Sequence, residues 1–250
     1  MRTLTLTALA GIPEVRAGDD LATLVRAGLA ASRLDLRDGD VIVLAQKIVS
    51  KSEGRTVALA SVTPGARAIG LARLTGKDAR LVELILRESV EVLRARRDVL
   101  IVEHRRGWIM ANAGIDLSNV SQDGTQALLL PEDPDATCAR LRASLGDLAD
   151  VGVVINDSFG RAWRCGTTGT ALGTAGVPAL VDLRGRLDRN GRALQSTELG
   201  VADELAAAAS LVMGQADEGC PAVLARGLPW PLRASSAREL LRPRSLDLFR

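Results

Sequence analysis

The amino-acid sequence predicts an α+β fold, with mixed or antiparallel sheets and flanking helices. Two observations point there. Short apolar strands and amphipathic helices follow one another without the strict alternation of a doubly wound parallel sheet. Two strand-like runs, 99–103 and 108–111, lie close enough to make a hairpin around Arg105-Arg106-Gly107. Length adds a limit, because 250 residues suit one large domain or two small interlocked ones. No internal repeat or low-complexity linker marks a boundary, so residues 1–250 read as a single unit.

Residues 2–8 alternate, with Thr3, Thr5 and Thr7 between apolar neighbours, and read as a strand. A turn-rich stretch from Gly11 to Gly18 follows, and Asp19 or Asp20 caps a helix to about Ser32. Val41 to Ala45 is an apolar strand that runs into the polar loop Ser52-Glu53-Gly54-Arg55. Thr63-Pro64 opens a helical stretch, and residues 78–95 form a second helix with Leu81, Leu84, Leu86, Val90 and Leu93 on one side. After the hairpin, 127–130 is a short strand, and Asp133-Pro134 starts a helix to about Leu145. Residues 151–155 make a buried strand, Gly160 to Gly176 a glycine-rich loop, and 179–183 another strand. Glu198 to Met213 is an Ala/Leu helix, and 220–225 the last strand.

Composition excludes several classes. A chain that is 47% hydrophobic and 25% charged folds, so general disorder is ruled out. No apolar run approaches the roughly 20 residues of a membrane helix, and the N-terminus lacks a secretory pattern. Basic and acidic residues number 32 and 30 and are evenly spread, which leaves no electrostatic footprint for nucleic acid. A cytoplasmic protein with no membrane or nucleic-acid partner is the expectation. Cys138, Cys165 and Cys220 are odd in number and far apart, so buried inert thiols are expected rather than disulfides or zinc. Only Lys47, Lys51 and Lys77 are lysine, against 29 arginines, which singles out the pair four positions apart. His104 is the lone histidine, and an edge-strand polar residue is a better reading of it than a catalytic base.

Common catalytic templates are absent: no GxxxxGK[ST], no GxGxxG and no GxSxG. Chemistry must therefore rest on carboxylates, hydroxyls, amides and basic side chains. Asp116 and Asp157 stand just beyond apolar strands, with Ser158 and Asn119 nearby. Such hard oxygen donors suit Mg²⁺ or Mn²⁺, but Asx turns and caps use the same residues, and spacing leaves both readings open. In the 160–176 segment, glycines with Arg161, Arg164, Thr167, Thr168 and Thr170 suit either a phosphate cradle or a plain connector. Lys47 and Lys51 border a strand end, where an ammonium serves a phosphate as a point charge. The run Gly214-Gln215-Ala216-Asp217-Glu218-Gly219 reads as a helix end with a loop, or as side chains for a metal or nucleotide.

Seven segments then carry a resemblance in register: GIPEVRAGDDL (11–21), AQKIVSKSEGR (45–55), ANAGIDLSNV (111–120), LLPEDPDA (129–136), NDSFGRAWRCG (156–166), DLRGRLDRNGRAL (182–194) and ADELAAAASLVMGQADEG (202–219). Together they resemble the coenzyme F420-0:L-glutamate ligases, γ-glutamyl ligases of deazaflavin cofactor synthesis, over essentially the whole chain. The resemblance implies the F420 γ-glutamyl ligase-like α+β fold and an intertwined homodimer; some relatives carry a C-terminal reductase-like domain, and at 250 residues no such fused domain is expected here. It implies a GTP-dependent ligase that needs two divalent metals, Mn²⁺ or Mg²⁺, and also K⁺. Its substrates would be F420-0 and L-glutamate, the first glutamate being followed by γ-linked ones.

Carried over residue by residue, Asp116 and Asp157 would hold one metal and Ser158 with Gln215 a second. The GTP site would be lined by Ile12, Pro13, Glu14, Val15, Gln46, Lys51 and Asn119. Met213, Gly214, Gln215, Ala216, Asp217, Glu218, Gly219 and Cys220 would complete it, Cys220 replacing a small apolar residue. Asp116, Asp157 and Lys51 are the catalytic candidates, and Arg161, Arg164 and Arg184 candidates for the acceptor's phosphodiester or carboxylates. Amide formation needs an activated carboxylate. Transfer of the GTP γ-phosphoryl group would supply an acyl phosphate for attack by the glutamate amine. The alternatives are a ligase of the same mechanism on another carboxylate acceptor, such as a folate or pterin, and a GTP- and metal-binding protein without catalysis.

Overall fold

The structure, a computed structural model, describes residues 2–117 and 124–248. Its spine is a five-stranded sheet ordered β1 (Thr5–Ala8), β12 (Ala222–Arg226), β2 (Val41–Ala45), β8 (Gly152–Arg161) and β9 (Arg164–Ala175). Neighbours run antiparallel except β2 and β8, which are parallel. The run Val41-Ile42-Val43-Leu44 is fully buried because both faces of the sheet are covered. Ile42 and Leu44 enter the core beneath α1 (Leu21–Ala31) and α5 (Pro134–Leu145), whereas Val41 and Val43 pack under α6 (Val201–Met213). Successive strand side chains point to opposite faces, so a doubly covered strand must be apolar throughout.

The helices start where their caps put them. Asp20 accepts from the N–H groups of Ala22 and Thr23, and Val25 and Leu29 then recur on the buried face of α1. Asp133 accepts from Ala136 N–H, with Pro134 in the first helical turn of α5. Asp203, in the first turn of α6, also accepts from Ala171 N–H and so ties that helix to β9.

A parallel pair needs a long crossover, and residues 46–151 make it. After α2 (Gln46–Ser52), this segment builds a second core from α3 (Ala66–Thr75), α4 (Ala79–Arg87) and the meander β4 (Ser89–Arg96), β5 (Val99–His104) and β6 (Ile109–Ala111). A two-stranded pair, β3 (Thr56–Ala58) with β7 (Gln126–Leu128), closes it. Arg55 is the polar seam between the cores: its guanidinium donates to the Leu130 carbonyl and pairs with Glu88 at 3.1 Å and Glu132 at 3.0 Å. Burial pushes the Glu88 carboxyl up, but His104, Arg105 and Arg55 together hold it below its usual value. A short ribbon, β10 (Leu180–Asp182) with β11 (Glu198–Gly200), precedes α6. Among the described residues no helix is long and apolar enough to cross a membrane.

The mixed architecture agrees with the predicted α+β class, and several elements differ from the sequence reading. The helix expected over 78–95 stops at Arg87, and residues 89–96 form β4 instead. Its leucine spacing runs on through Glu88, but pairing with β5 decides the conformation. The glycine-rich segment is no loop: residues 164–175 are β9, paired along β8. Its threonines favour a strand, and its glycines admit helices on both faces. A Cβ on Gly169 would lie 2.4 Å from the Ala206 carbonyl oxygen in α6, and one on Gly173 2.4 Å from the Pro134 carbonyl carbon in α5. Residues 46–52 are helical and 198–200 are strand, neither of which the sequence signalled.

His104 also departs from expectation. It is buried in the central strand of the meander, tilted against the Trp108 ring at 5.1 Å. Its Nδ1 accepts from Arg106 N–H, and Nε2 faces Glu88 Oε2 at 3.6 Å. Of the cysteines only Cys138 is buried, its thiol pushed well up by burial; Cys165 is exposed and Cys220 partly so.

The close approach at β9 makes a direct prediction. Gly173→Ala forces a backbone shift and should cost about 2 kcal/mol, lowering the thermal midpoint by roughly 4–8 °C. Gly160→Ala, which meets nothing within 4 Å, should leave it within about 1 °C. Thermal unfolding followed by circular dichroism checks the pair, and equal midpoints would contradict the packing account.

Candidate active site

Because β2 and β8 are parallel and adjacent, both deliver their C-terminal residues to one rim, with Ala45 opposite Asn156. The chain leaves β2 directly into α2, whose first turns carry Gln46, Lys47 and, one turn on, Lys51. The parallel neighbour contributes Asn156, Asp157 and Ser158 from within β8, so Asp157 lies inside a strand rather than beyond it. The segment after β1 (12–15) and the one after α6 (213–216 and 218–221) form the other walls. The resulting cleft encloses about 350 Å³.

Its loops are locally determined. Gly214 ends α6 with φ of 75°, and the Glu218 side chain folds over it, accepting from Ala216 N–H at 2.8 Å. A side chain at Gly214 would collide with that carboxylate. That backbone amide holds the Glu218 carboxyl below its usual value. Asp116 is reached through a left-handed turn in which Asn112, Ala113 and Gly114 all have positive φ. Gly114 packs under Leu130 and Met110, where a Cβ would come within 2.7 Å of both. Two backbone hydrogen bonds between Asp116 and Leu128 then fix the residue. Such left-handed backbone is uncomfortable for Ala113, while Asn112 tolerates it, and strain of this kind collects at functional sites.

The electrostatics are dominated by two carboxylates. Burial, against only part of its surface open to the cleft, pushes the Asp157 carboxyl up to about 6. The Asp116 charge pushes the same way, while the Ser158 N–H and Lys47 pull it down. Lys47 Nζ lies 2.7 Å from Asp116 Oδ2. Beside Asp157, the Ser158 hydroxyl donates to Gln215 Oε1 at 2.7 Å and so joins β8 to the loop after α6.

Most of the residues singled out from sequence meet here. Ile12, Pro13, Glu14, Val15, Gln46 and Lys51 line the cleft with Asp157 and Ser158, as do 213–216 and 218–220. Asp116 stands behind Lys47 rather than in the wall, and Asp217 is on the exposed side of its loop. Asn119 lies outside the described residues. Arg161 and Arg164 flank the exposed tip of the β8–β9 hairpin. Arg184 is engaged with Asp182 at 2.6 Å and Glu198 at 3.3 Å in the β10–β11 ribbon. Two polar cleft residues stood outside the sequence-based site: Lys47, offered by the sequence only as a point charge for a phosphate, and the buried Asn156. The rarity of lysine was the available signal for the first, and adjacency to Asp157 for the second.

A family model described as F420-0:Gamma-glutamyl ligase matches residues 11–227, a span that takes in every wall of this cleft. The chain belongs to that family. It is 47% identical to the coenzyme F420:L-glutamate ligase of Methanothermobacter thermautotrophicus, over 99% of each chain. It is 46% identical to that of Methanopyrus kandleri, over 95% of this chain and 94% of the relative. With the Halobacterium salinarum ligase it shares 48% over 88% of this chain and 85% of the relative.

The donor chemistry of this F420-0:gamma-glutamyl ligase family member fits a hard divalent cation. Two carboxylates, a hydroxyl and an amide carbonyl are all oxygen donors. Among the described residues no group of three His, Cys, Asp or Glu side chains is placed to hold a metal, so substrate oxygens and water would have to complete any shell. Burial is the main reason that the Asp157 carboxyl is raised, and the Asp116 charge adds to it.

An acid whose pKa rises on folding destabilises the fold once it is ionised. For Asp157 the cost is nearly absent below pH 4, grows as the pH climbs from 4 to 6, and is complete above that. Asp157→Asn should therefore raise the thermal midpoint of metal-free protein at pH 8 by roughly 2–4 °C, after allowance for solvent screening. At pH 4 the gain should shrink toward zero. Scanning calorimetry at the two pH values tests the sign, and a variant equally stabilised at both would refute the electrostatic cause.

Proposed function

We propose that the chain is a GTP- and divalent-metal-dependent ligase that joins L-glutamate to the carboxylate tail of coenzyme F420-0, then adds further glutamates in γ-linkage. One observation carries this reading: a single cleft gathers the 12–15 segment, the α2 lysines and the loop after α6 around Asp157, with Asp116 paired to Lys47 of the same cleft. The family description supports F420-0 as the acceptor, and the names of the relatives support L-glutamate as the amino acid.

In this reading Asp116 and Asp157 hold one divalent ion, and Ser158 with Gln215 a second, Mg²⁺ or Mn²⁺ in each case. Metal bound there would neutralise phosphate charge and align the transfer. Lys51, one turn beyond Lys47 on α2, places a mobile point charge at the same end of the cleft. The loop after α6 and the 12–15 segment enclose the nucleotide and exclude water from it. A carboxylate oxygen of the acceptor attacks the γ-phosphorus of GTP, and GDP leaves. The resulting acyl phosphate is then attacked by the glutamate amine, inorganic phosphate departs and the amine proton passes to a neighbouring base. Arg161 and Arg164, on the hairpin that continues β8 past Ser158, would meet the anionic acceptor, and Arg184 a further carboxylate. K⁺ as an additional cofactor, an intertwined homodimer and a cytoplasmic location complete the proposal.

Mass spectrometry of F420-0 after incubation with the protein, L-glutamate, GTP and Mn²⁺ tests the reaction. The expected product carries one or more added glutamyl residues, with GDP and phosphate released in step. Unmodified F420-0 alongside folded, GTP-bound protein would overturn the acceptor assignment. Asp116→Asn and Asp157→Asn should each lower turnover by about a hundredfold or more without loss of fold. Wild-type rates in either would remove that residue from the site.

A further inference from the structure

Lys47 and Lys51 sit one turn apart on α2 and both line the cleft, yet their ammonium groups are placed differently. Lys51 Nζ is 3.5 Å from the exposed Glu14 carboxylate. Lys47 Nζ is 2.7 Å from Asp116 Oδ2 and within electrostatic reach of Asp157 as well. It is thus a cation that serves both carboxylates. Asp116 is rigid, fixed by its hydrogen bonds to Leu128 and the packed turn at Gly114, whereas lysine ends a flexible four-carbon stem.

We propose that Lys47 is a tethered counter-ion that neutralises the Asp116–Asp157 pair before metal binds, and that it is exchanged for the divalent cation when nucleotide enters the cleft. The inference rests on the reading of these aspartates as metal ligands. A dication held by the Asp116 carboxylate would be repelled by the Lys47 ammonium, 2.7 Å from that carboxylate. Metal alone must therefore displace Lys47 into water or elsewhere, which weakens its binding. A polyphosphate in the same cleft offers the ammonium a new anion within reach of its stem, and the carboxylates become free. Metal and nucleotide then help each other bind through Lys47, in addition to any direct contact between them. The coupling is reciprocal, as linkage requires.

Titration of the full-length protein with Mn²⁺, read by the electron paramagnetic resonance of the free ion, tests the exchange. It is run without nucleotide and with a non-hydrolysable GTP analogue. Without nucleotide, Lys47→Met should bind Mn²⁺ roughly three- to tenfold more tightly than the wild type, a direction that structural damage would not produce. With the analogue the advantage should disappear. Lys47→Arg, which keeps the charge, should behave as the wild type. Metal-free Lys47→Met should also melt about 2–3 °C lower, with Mn²⁺ restoring it. Nucleotide-free affinity in Lys47→Met at or below the wild-type value overturns the proposal. Where uptake without nucleotide is too weak to read in either protein, an unchanged metal-free midpoint overturns it and a lowered one supports it. Wild-type protein that takes up no Mn²⁺ even with the analogue defeats the metal reading itself. Where the wild type takes up Mn²⁺, Asp116→Asn should lose that uptake, and uptake retained in it would defeat the metal reading on which the proposal rests.

Discussion

The parallel pairing of β2 with β8 is the constraint on which the rest of the structure depends. It places Ala45 opposite Asn156 and so brings the start of α2 beside the acidic end of β8. No hairpin can join two parallel strands, so the chain spends residues 46–151 on the crossover. That detour is long enough to hold a hydrophobic core of its own, and it returns Asp116 to within 2.7 Å of Lys47. The cleft is therefore closed by residues distant in sequence. Burial of Val41 to Leu44 and Val153 to Ile155 on both faces keeps the pair in register.

The crossover must also be held at a fixed angle to the sheet, or Asp116 would not meet its partners. Apolar contact alone slides easily; a directional polar seam does not. Arg55 supplies one, reaching the Leu130 carbonyl, Glu88 and Glu132 at once, while Glu53 accepts from Glu132 N–H and from the Thr137 hydroxyl of α5. Leu130 in turn packs on Gly114, in the turn that aims Asp116. One arginine is thus two contacts away from the carboxylate whose position it secures. The Glu88 carboxyl stays ionised in a half-enclosed place because several cations surround it, the usual condition for keeping a buried charge.

Local signals were legible in the sequence, and partner-dependent ones were not. The caps at Asp20 and Asp133, the apolar run 41–45 and the Arg105-Arg106-Gly107 hairpin depend on residues near in the chain, and all stand as read. Residues 89–96 could not be assigned that way, because the leucine spacing of α4 continues into them and only β5 makes them a strand. The glycines of β9 mimicked a loop, since close helix packing leaves no trace in sequence beyond small residues. The site divides along the same line. Motifs named the cleft walls at 12–15, Gln46, Lys51 and 213–220, whereas Lys47 stood out only through the rarity of lysine, with nothing nearby to tie it to a carboxylate. Its meeting with Asp116 spans most of the crossover and has no local signature.

Several small costs converge on the cleft. Asn112 and Ala113 hold left-handed backbone, Asp157 is ionised at neutral pH against its surroundings, and Asn156 Oδ1 is buried without a hydrogen-bond partner. Away from the cleft, two buried carboxylates are well matched: Asp40 is buried with a bidentate Arg226, and Asp135 accepts from Thr174, Ser236 and Ala237, whereas His104 Nε2 is buried without a hydrogen-bond partner. A site whose charges were fully matched within the chain would have nothing left to offer a cation or a phosphate, since binding can draw only on interactions the protein has not already made. Lys47 is the intermediate case. It offsets part of the carboxylate charge, and as a half-exposed pair on a flexible stem it does so weakly enough to be replaced. The strain is local and the double-faced sheet beneath it is not, which is why the fold tolerates an unsatisfied site at its rim.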